Sequence, residues 1–156
     1  MFCQACSSIQ LGESVDPHFL FSKYVWVTGT SRTAVDYSRR FATEALKRCH
    51  QKRPFVVEIA SNDGTFLRRF QEVGSRVLGI DPAENLAEAA AARGLPTLVR
   101  FFTREVAEDV LATHGNADLV VARNVIPHVK EIHSVIVVCA VLLGATGTGI
   151  IKFNGT

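Results

Sequence analysis

From Phe55 onward, short apolar runs alternate with helix-like stretches, and that alternation constrains the fold more than any other feature. FVVEIA, RVLGID, PTLVRF, ADLVVARN and TGIIKF read as five strands. Stretches near 64–73, 83–93, 103–114 and 130–143 read as the helices between them. Strands joined through helices by short connections run parallel, with helices on both faces of the sheet. The strands are almost continuously apolar, as expected where both faces are covered. AENLAEAAAARG is rich in a strong helix former and closes on a glycine suited to a helix C-terminus. The expectation is an α/β, Rossmann-like parallel sheet that stops after its fifth strand.

Residues 1 to about 30 look irregular. They hold a Cys-x-x-Cys (Cys3, Cys6), a proline, and YVWVTGTS, where Tyr24 to Val27 reads as a short strand and Gly29 as a turn. Ser31 is a natural N-cap for a helix reaching about Cys49. Ala34, Tyr37, Phe41, Ala45 and Cys49 give that helix one apolar face.

The net charge is +2, and the nearest basic cluster, Lys47 to Arg53, reads as a solvated helix end and loop. This argues against nucleic-acid binding, which needs a basic patch. The opening MFCQACSSIQ has neither the charged nor the apolar region of a signal peptide. The apolar VIVVCAVLLG is too short to span a bilayer. No membrane partner is expected. A cytoplasmic location, with the four cysteines reduced, follows from the same reading.

In a parallel α/β sheet, ligands lie beyond the carboxyl ends of the strands. Glu58 to Gly64 and Asp81 fall there. An acid ending the second strand can accept hydrogen bonds from ribose hydroxyls, which points to a nucleoside. A pyrophosphate wants several glycines and no nearby acids. Here Ala60 and Asn62 stand where a dinucleotide loop would have glycine, and Glu58 and Asp63 add negative charge. S-adenosylmethionine (SAM) has a ribose, no phosphate, and two cationic groups, so charge and glycine count favour it over NAD. The simpler alternatives are a capping acid at Glu58 and plain turn chemistry at Asn62-Asp63-Gly64.

EIASNDGTFL, GIDPAENLAEAA, GLPTLVRFF and ADLVVARNVIPHV together resemble the NDP-sugar C-methyltransferases of deoxysugar pathways. YVWVTGTSRTAV and the opening CQACSSIQLGESVDP fit the same pattern, so the resemblance covers nearly the whole chain. It implies a small N-terminal zinc domain, of which residues 1–30 are a remnant. It further implies a SAM-binding Rossmann-like domain over 31–156. The implied reaction methylates a ring carbon of an NDP-4-keto-deoxysugar. A base removes the proton beside the ketone, and the enolate attacks the SAM methyl group. By position, Glu58, Asn62, Asp63 and Gly64 line the methionine end and Asp81 holds the ribose. Asn85 assists there, and Asn124 ends the fourth strand facing the cofactor. Phe102 is either an adenine platform or a core aromatic. His128 faces either the substrate or the surface.

Two departures qualify the resemblance. The family's zinc site takes two Cys-x-x-Cys pairs, whereas Cys3 and Cys6 supply half a tetrahedral set. Cys49 and Cys139 fall in expected helices and read as buried small residues. The family's fifth strand also runs on into a Glu-Phe-Pro-Tyr-like segment, and a Tyr-His-Glu-His stretch follows well downstream. This chain instead has IKFNGT, with Lys152 where an acid is common and Pro127 where alanine is usual. The catalytic base is thus expected outside the chain, its catalytic residues are unknown, and the chain reads as a fragment. Alone it is expected to lack turnover and to associate through the TGIIKF edge, where Ile150, Ile151 and Phe153 lie beside unpaired backbone. A non-catalytic SAM- or partner-binding remnant is the second reading, and an NAD-binding module the third.

Overall fold

The computed structural model describes residues 1–9 and 15–153. The elements are α1 (Pro17–Phe21), α2 (Arg32–Leu46), β1 (Phe55–Ile59), α3 (Leu67–Glu72), β2 (Arg76–Ile80) and α4 (Glu84–Ala91), followed by β3 (Thr97–Leu98), α5 (Arg104–His114), β4 (Ala117–Arg123), α6 (Ile132–Leu142) and β5 (Leu143–Lys152). The five strands form one sheet in the order β3-β2-β1-β4-β5, and every pairing is parallel. The α/β, Rossmann-like expectation therefore holds.

Strand parity sorts the core into two layers. Phe55, Val57, Ile59, Val120 and Ala122 face α5 and α6 together with Val106, Val110, Val138 and Leu142. Val56, Leu119 and Val121 face the opposite layer, with Phe41 of α2 and Phe66, Leu67 and Phe70 around α3. Both faces of β1 are buried, which is why its sequence shows no polar alternation.

Several boundaries differ from the sequence expectation. The helix after β1 starts at Leu67 rather than 64, because residues 61–66 are spent in turns. Helix α2 keeps its Ser31 cap, whose hydroxyl accepts from the Ala34 amide, but it ends at Leu46, so Cys49 lies beyond it. PTLVRF pairs only at Thr97 and Leu98, since the chain then turns back, with the Arg100 amide donating to the Leu98 carbonyl. Strand β5 begins at Leu143, five residues earlier than expected, directly from the end of α6.

Tyr24–Val27 is a correction of a different kind: it joins no strand. The segment is held by side chains instead. The Asn85 amide donates to the Tyr24 carbonyl at 3.0 Å and accepts from the Tyr24 amide at 3.2 Å. The Asn62 side chain donates to the Trp26 carbonyl at 2.9 Å and accepts from the Thr28 amide at 2.8 Å. Asp63 Oδ2 accepts from the Gly29 amide at 3.2 Å, and a Cβ at Gly29 would collide with that same oxygen. An asparagine amide carries one donor side and one acceptor side, so it can replace a neighbouring strand at a single residue. Residues 22–29 thus form a strap across the carboxyl end of the sheet.

Candidate functional site

The strap, the β1 loop and the ends of β2 and β4 enclose a cavity of about 610 Å³. That volume suits a nucleoside-sized ligand. Ala60, Asn62, Asp81, Phe102, Arg123 and Asn124 lie on its wall, with Tyr24, Trp26 and His128 on the strap side.

The loop after β1 turns by alternation. Ala60, Asn62 and Gly64 have φ of 52°, 54° and 74°. Only glycine takes this left-handed region freely, and asparagine tolerates it better than alanine. The turn is fixed by the Ala60 amide donating to the Ile80 carbonyl at 2.7 Å and the Gly64 amide donating to the Ser61 carbonyl at 3.0 Å. At Gly64 a Cβ would also strike Leu95.

Asp81 follows β2 and is almost fully buried. Its Oδ2 accepts from the Asn62 amide at 2.7 Å, and its Oδ1 from the Ala83 amide at 2.9 Å. Burial raises its pKa above the usual carboxylate range, against the pull of those two amides. No arginine or lysine pairs with it among the described residues. Each carboxylate oxygen keeps capacity for a further donor, and the cavity is where one would come from.

The electrostatics of the loop need correcting. Glu58 and Asp63 were expected to present free negative charge, but both are ion-paired. Glu58 Oε1 accepts from Arg123 at 3.0 Å (Nε) and 2.7 Å (Nη2). Asp63 Oδ2 accepts from Arg93 Nη1 at 2.7 Å, while Oδ1 accepts from the Thr65 hydroxyl at 2.8 Å. Glu58, Asp63 and Gly64 are not among the residues on the cavity wall, and Asn85 is occupied by the strap. Of the three acids near the cavity, Asp81 alone lacks a counter-charge.

Glu58 is fully buried, and burial raises its pKa despite Arg123. Its Oε2 has no hydrogen-bond partner. A buried polar atom left without a partner costs about 1–3 kcal/mol, and burial favours the protonated form of this carboxyl. Arg123 was missed by sequence reasoning. The clue was present: Glu58 shares the face of Val56, and Arg123 shares the face of Leu119 and Val121 on the neighbouring strand. A buried strand acid calls for a cation within reach.

Phe102 packs against the α5/α6 layer and also lies on the cavity wall. Asn124 sits at φ 55°, its amide donating to the Lys152 carbonyl at 2.7 Å. His128 reaches the cavity beside Phe21, with ring centroids 5.7 Å apart.

Cys3 and Cys6 lie in a small knuckle closed by a Phe2–Ile9 bridge. The Ser8 hydroxyl, first among several hydrogen bonds, lowers the Cys6 pKa. The later part of the CQACSSIQLGESVDP motif, residues 10–14, lies outside the described residues. Two thiols cannot close a four-ligand zinc site. Among the described residues no three His, Cys, Asp or Glu side chains are placed to hold a metal, so zinc does not fit what is seen here. All four cysteines are free thiols. No helix among the described residues is long and apolar enough to cross a membrane.

Residues 57–148 match the family model described as "Methyltransferase domain". The C-methyltransferase NovU of Streptomyces niveus is 34% identical over 146 residues, covering 93% of this chain and 35% of that protein. The chain therefore spans about a third of that relative's length. Among solved structures, a putative S-adenosyl-L-methionine-dependent methyltransferase from Methanococcus maripaludis matches with TM-score 0.61 and 12% identity, covering 91% of this chain and 68% of that one. The magnesium protoporphyrin IX methyltransferase from Synechocystis PCC 6803, solved with bound SAM, matches with TM-score 0.53 and 16% identity, covering 71% and 53%. With its parallel sheet, its acid at the end of β2 and a family match over more than half its length, the chain belongs to the methyltransferase-domain family of SAM-dependent fold.

Proposed function

We propose that this chain is the cofactor-binding part of a SAM-dependent C-methyltransferase whose substrate is an NDP-4-keto-deoxysugar. The observation that carries the cofactor is Asp81, an acid without a counter-charge beside a nucleoside-sized cavity. Carbon as the methylated atom is supported by the likeness to NovU. The sugar rests on the resemblance of EIASNDGTFL and ADLVVARNVIPHV to that family.

SAM supplies an electrophilic methyl group on a sulfonium. The residues of the chain bind and orient. Asp81 accepts from ribose hydroxyls with the lone pairs its two amide donors leave free. Phe102 offers an apolar face to the adenine. Asn62 has its side chain committed to the strap, so its part is to fix the loop. Trp26 and Tyr24 wall off bulk water on the strap side. The proton beside the ketone needs a base. His128 and Tyr24, both on the cavity wall, are the groups to test if this chain turns over by itself.

Calorimetry with S-adenosylhomocysteine and with NAD tests the cofactor. The expected result is binding of the first and not the second, with Asp81→Ala weakening it by roughly 1.5–3 kcal/mol. Binding of NAD alone would overturn the reading, and unchanged affinity in Asp81→Ala would remove Asp81 from the site. An assay with labelled SAM and a 4-keto-deoxysugar nucleotide, given the longer polypeptide if one exists, tests the substrate.

A further inference from the structure

Strand β5 is last in the sheet order, so one of its sides meets no strand among the described residues. The Asn124 amide donates to the Lys152 carbonyl, which fixes the parity of the ladder over 148–152. Thr148, Ile150 and Lys152 direct their backbone groups to β4, while Gly149 and Ile151 present theirs at the open edge. Proteins usually guard such an edge with charges, proline or a short strand. LGATGTGIIK is ten residues long, has no proline, and carries one charge, Lys152, whose ammonium lies 5.1 Å from the Tyr37 ring in the α2 layer. The other face of the edge is apolar. Ile151 pairs with Ala122 and so faces the α5/α6 layer, and Phe153 follows two residues on. Within α6, Val138, Cys139 and Leu142 are buried against that layer. A right-handed crossover from β4 to β5 then turns Ile132, Ile136 and Ala140 toward the open edge. Ile132, Ile136, Ile151 and Phe153 are 46%, 45%, 38% and 56% exposed. Side chains of that size leave roughly 350 Å² of apolar surface, comparable to the largest patch of a typical monomer.

We propose that this edge pairs with the β5 edge of a second copy of the chain, antiparallel about a two-fold axis at Ile150, so that two five-stranded sheets become one. The register selects this occupant. With Ile150 opposite its own mate, Ile151 lies across from Gly149 and Phe153 across from Gly147. Residues 149 and 151 then exchange the backbone bonds that the open edge leaves unmade. A bulky residue laid over a cross-strand glycine covers backbone that the glycine leaves bare. A Cβ at Gly147 or Gly149 would meet the Leu143 side chain, so Ile151 and Phe153 of the partner land on an apolar bed. The same axis sets the two α6 helices antiparallel, two strand spacings or roughly 10 Å apart, which is a helix-packing distance. Their flanks of Ile132, Ile136 and Ala140 then meet. The two apolar patches, joined by the strand pair between them, bring the buried area to roughly 1,200 Å², where specific interfaces begin.

Light scattering across a dilution series of the whole chain reads the mass. The expected result is a dimer, twice 17.0 kDa, that dissociates on dilution. Ile151→Lys should weaken it by at least about tenfold, because it buries an unpaired charge at the seam. Phe153→Ser should act in the same direction. Gly149→Val is tolerated at Cβ, which meets Leu143 at 3.5 Å, but it fills the place of the partner's Ile151 and should also weaken the dimer by about tenfold. Val137→Lys alters an α6 residue as exposed as Ile151 but outside the flank, and should leave the dimer within about threefold. If Ile151→Lys fails to fold by its far-UV signal, Gly149→Val and Phe153→Ser decide the matter. A monomer at every concentration would overturn the proposal and leave the edge to another occupant, such as a strand from elsewhere in a longer polypeptide. So would aggregates without a discrete dimer, a dimer that persists through Gly149→Val, or one lost equally in Val137→Lys.

Discussion

The central sheet and the strap over it are both extended backbone rich in β-branched and aromatic residues, yet they are held by different physics. Strands β1 and β4 are buried on both faces and joined by a continuous ladder. Residues 22–29 are largely half-exposed or exposed, Val25 almost completely, and their backbone is tied by three side chains from elsewhere. Sheet stability spreads over many apolar contacts, so losing one is costly but local. The strap depends on a few hydrogen bonds, each removable by one substitution. A region held this way opens at lower free energy than the core, and a cavity wall that must admit a ligand benefits from that difference.

Leu119→Ala strikes the sheet where it is most buried and should have the largest effect. A loss of about 2–5 kcal/mol is expected from the cavity created, read as a lowered urea midpoint. The fluorescence of Trp26, the single tryptophan, should change in the same transition as the far-UV signal. A strap transition well ahead of the global one in this variant would show the two regions uncoupled.

The pH dependence separates the regions next, because the perturbed buried acids belong to the sheet ends. Burial raises the folded-state pKa of Glu58 and Asp81. Below the ordinary carboxylate pKa of about 4 both states are protonated and nothing is lost. As pH rises from there toward the raised folded values, the unfolded chain releases its protons first, and stability falls. Glu72 and Glu105, held low chiefly by hydrogen bonds from Arg69 and Thr103, act in the opposite sense. The measurement is therefore the difference between wild type and Glu58→Gln across this range. The variant should lack part of the fall, and identical slopes would remove Glu58 as a titrating group.

Asn62→Gly keeps the left-handed backbone but deletes both strap bonds, for an expected loss of about 1–2 kcal/mol. Trp26 emission should shift to the red and amide exchange at 24–28 should quicken under native conditions, with the sheet protected as before. Unchanged exchange would mean that packing, not Asn62, holds the strap. Asn85→Ala removes a more exposed pair of bonds to Tyr24 and should cost least, about 0.5–1 kcal/mol, with faster exchange confined to residues near 24.

The same contrast explains what the sequence disclosed. Apolar runs bounded by turns found the strands, because burial on two faces leaves a compositional trace. Asp81 and Asn124 were legible as residues following strands, where parallel sheets gather their ligands. Tyr24–Val27 misled because its β-propensity is real while its partners are Asn62 and Asn85, far away in sequence and invisible to local pattern. The pairing of Glu58 with Arg123 was open to strand parity once the β1–β4 register is known. It was hidden before that, since nothing local says which strands are neighbours. Strand β3 shrank to two residues because the chain turns at Leu98, where a propensity reading carries Val99 and Phe101 onward.

The left-handed positions at Ala60 and Asn62 bear on when the site becomes ordered. A loop with glycine at all three of 60, 62 and 64 would wander in the free protein and would have to be quieted by its ligand. Here bonds to the sheet narrow the choices beforehand: the Asn62 amide is held by Asp81 and the Ala60 amide by Ile80. The strain of a non-glycine residue at positive φ is met during folding. What reaches the cavity afterwards finds a preorganised rim and gives up less binding free energy to immobilise it. Such a pocket should select by fit more than by closure, and its association should carry a small entropic penalty from this loop.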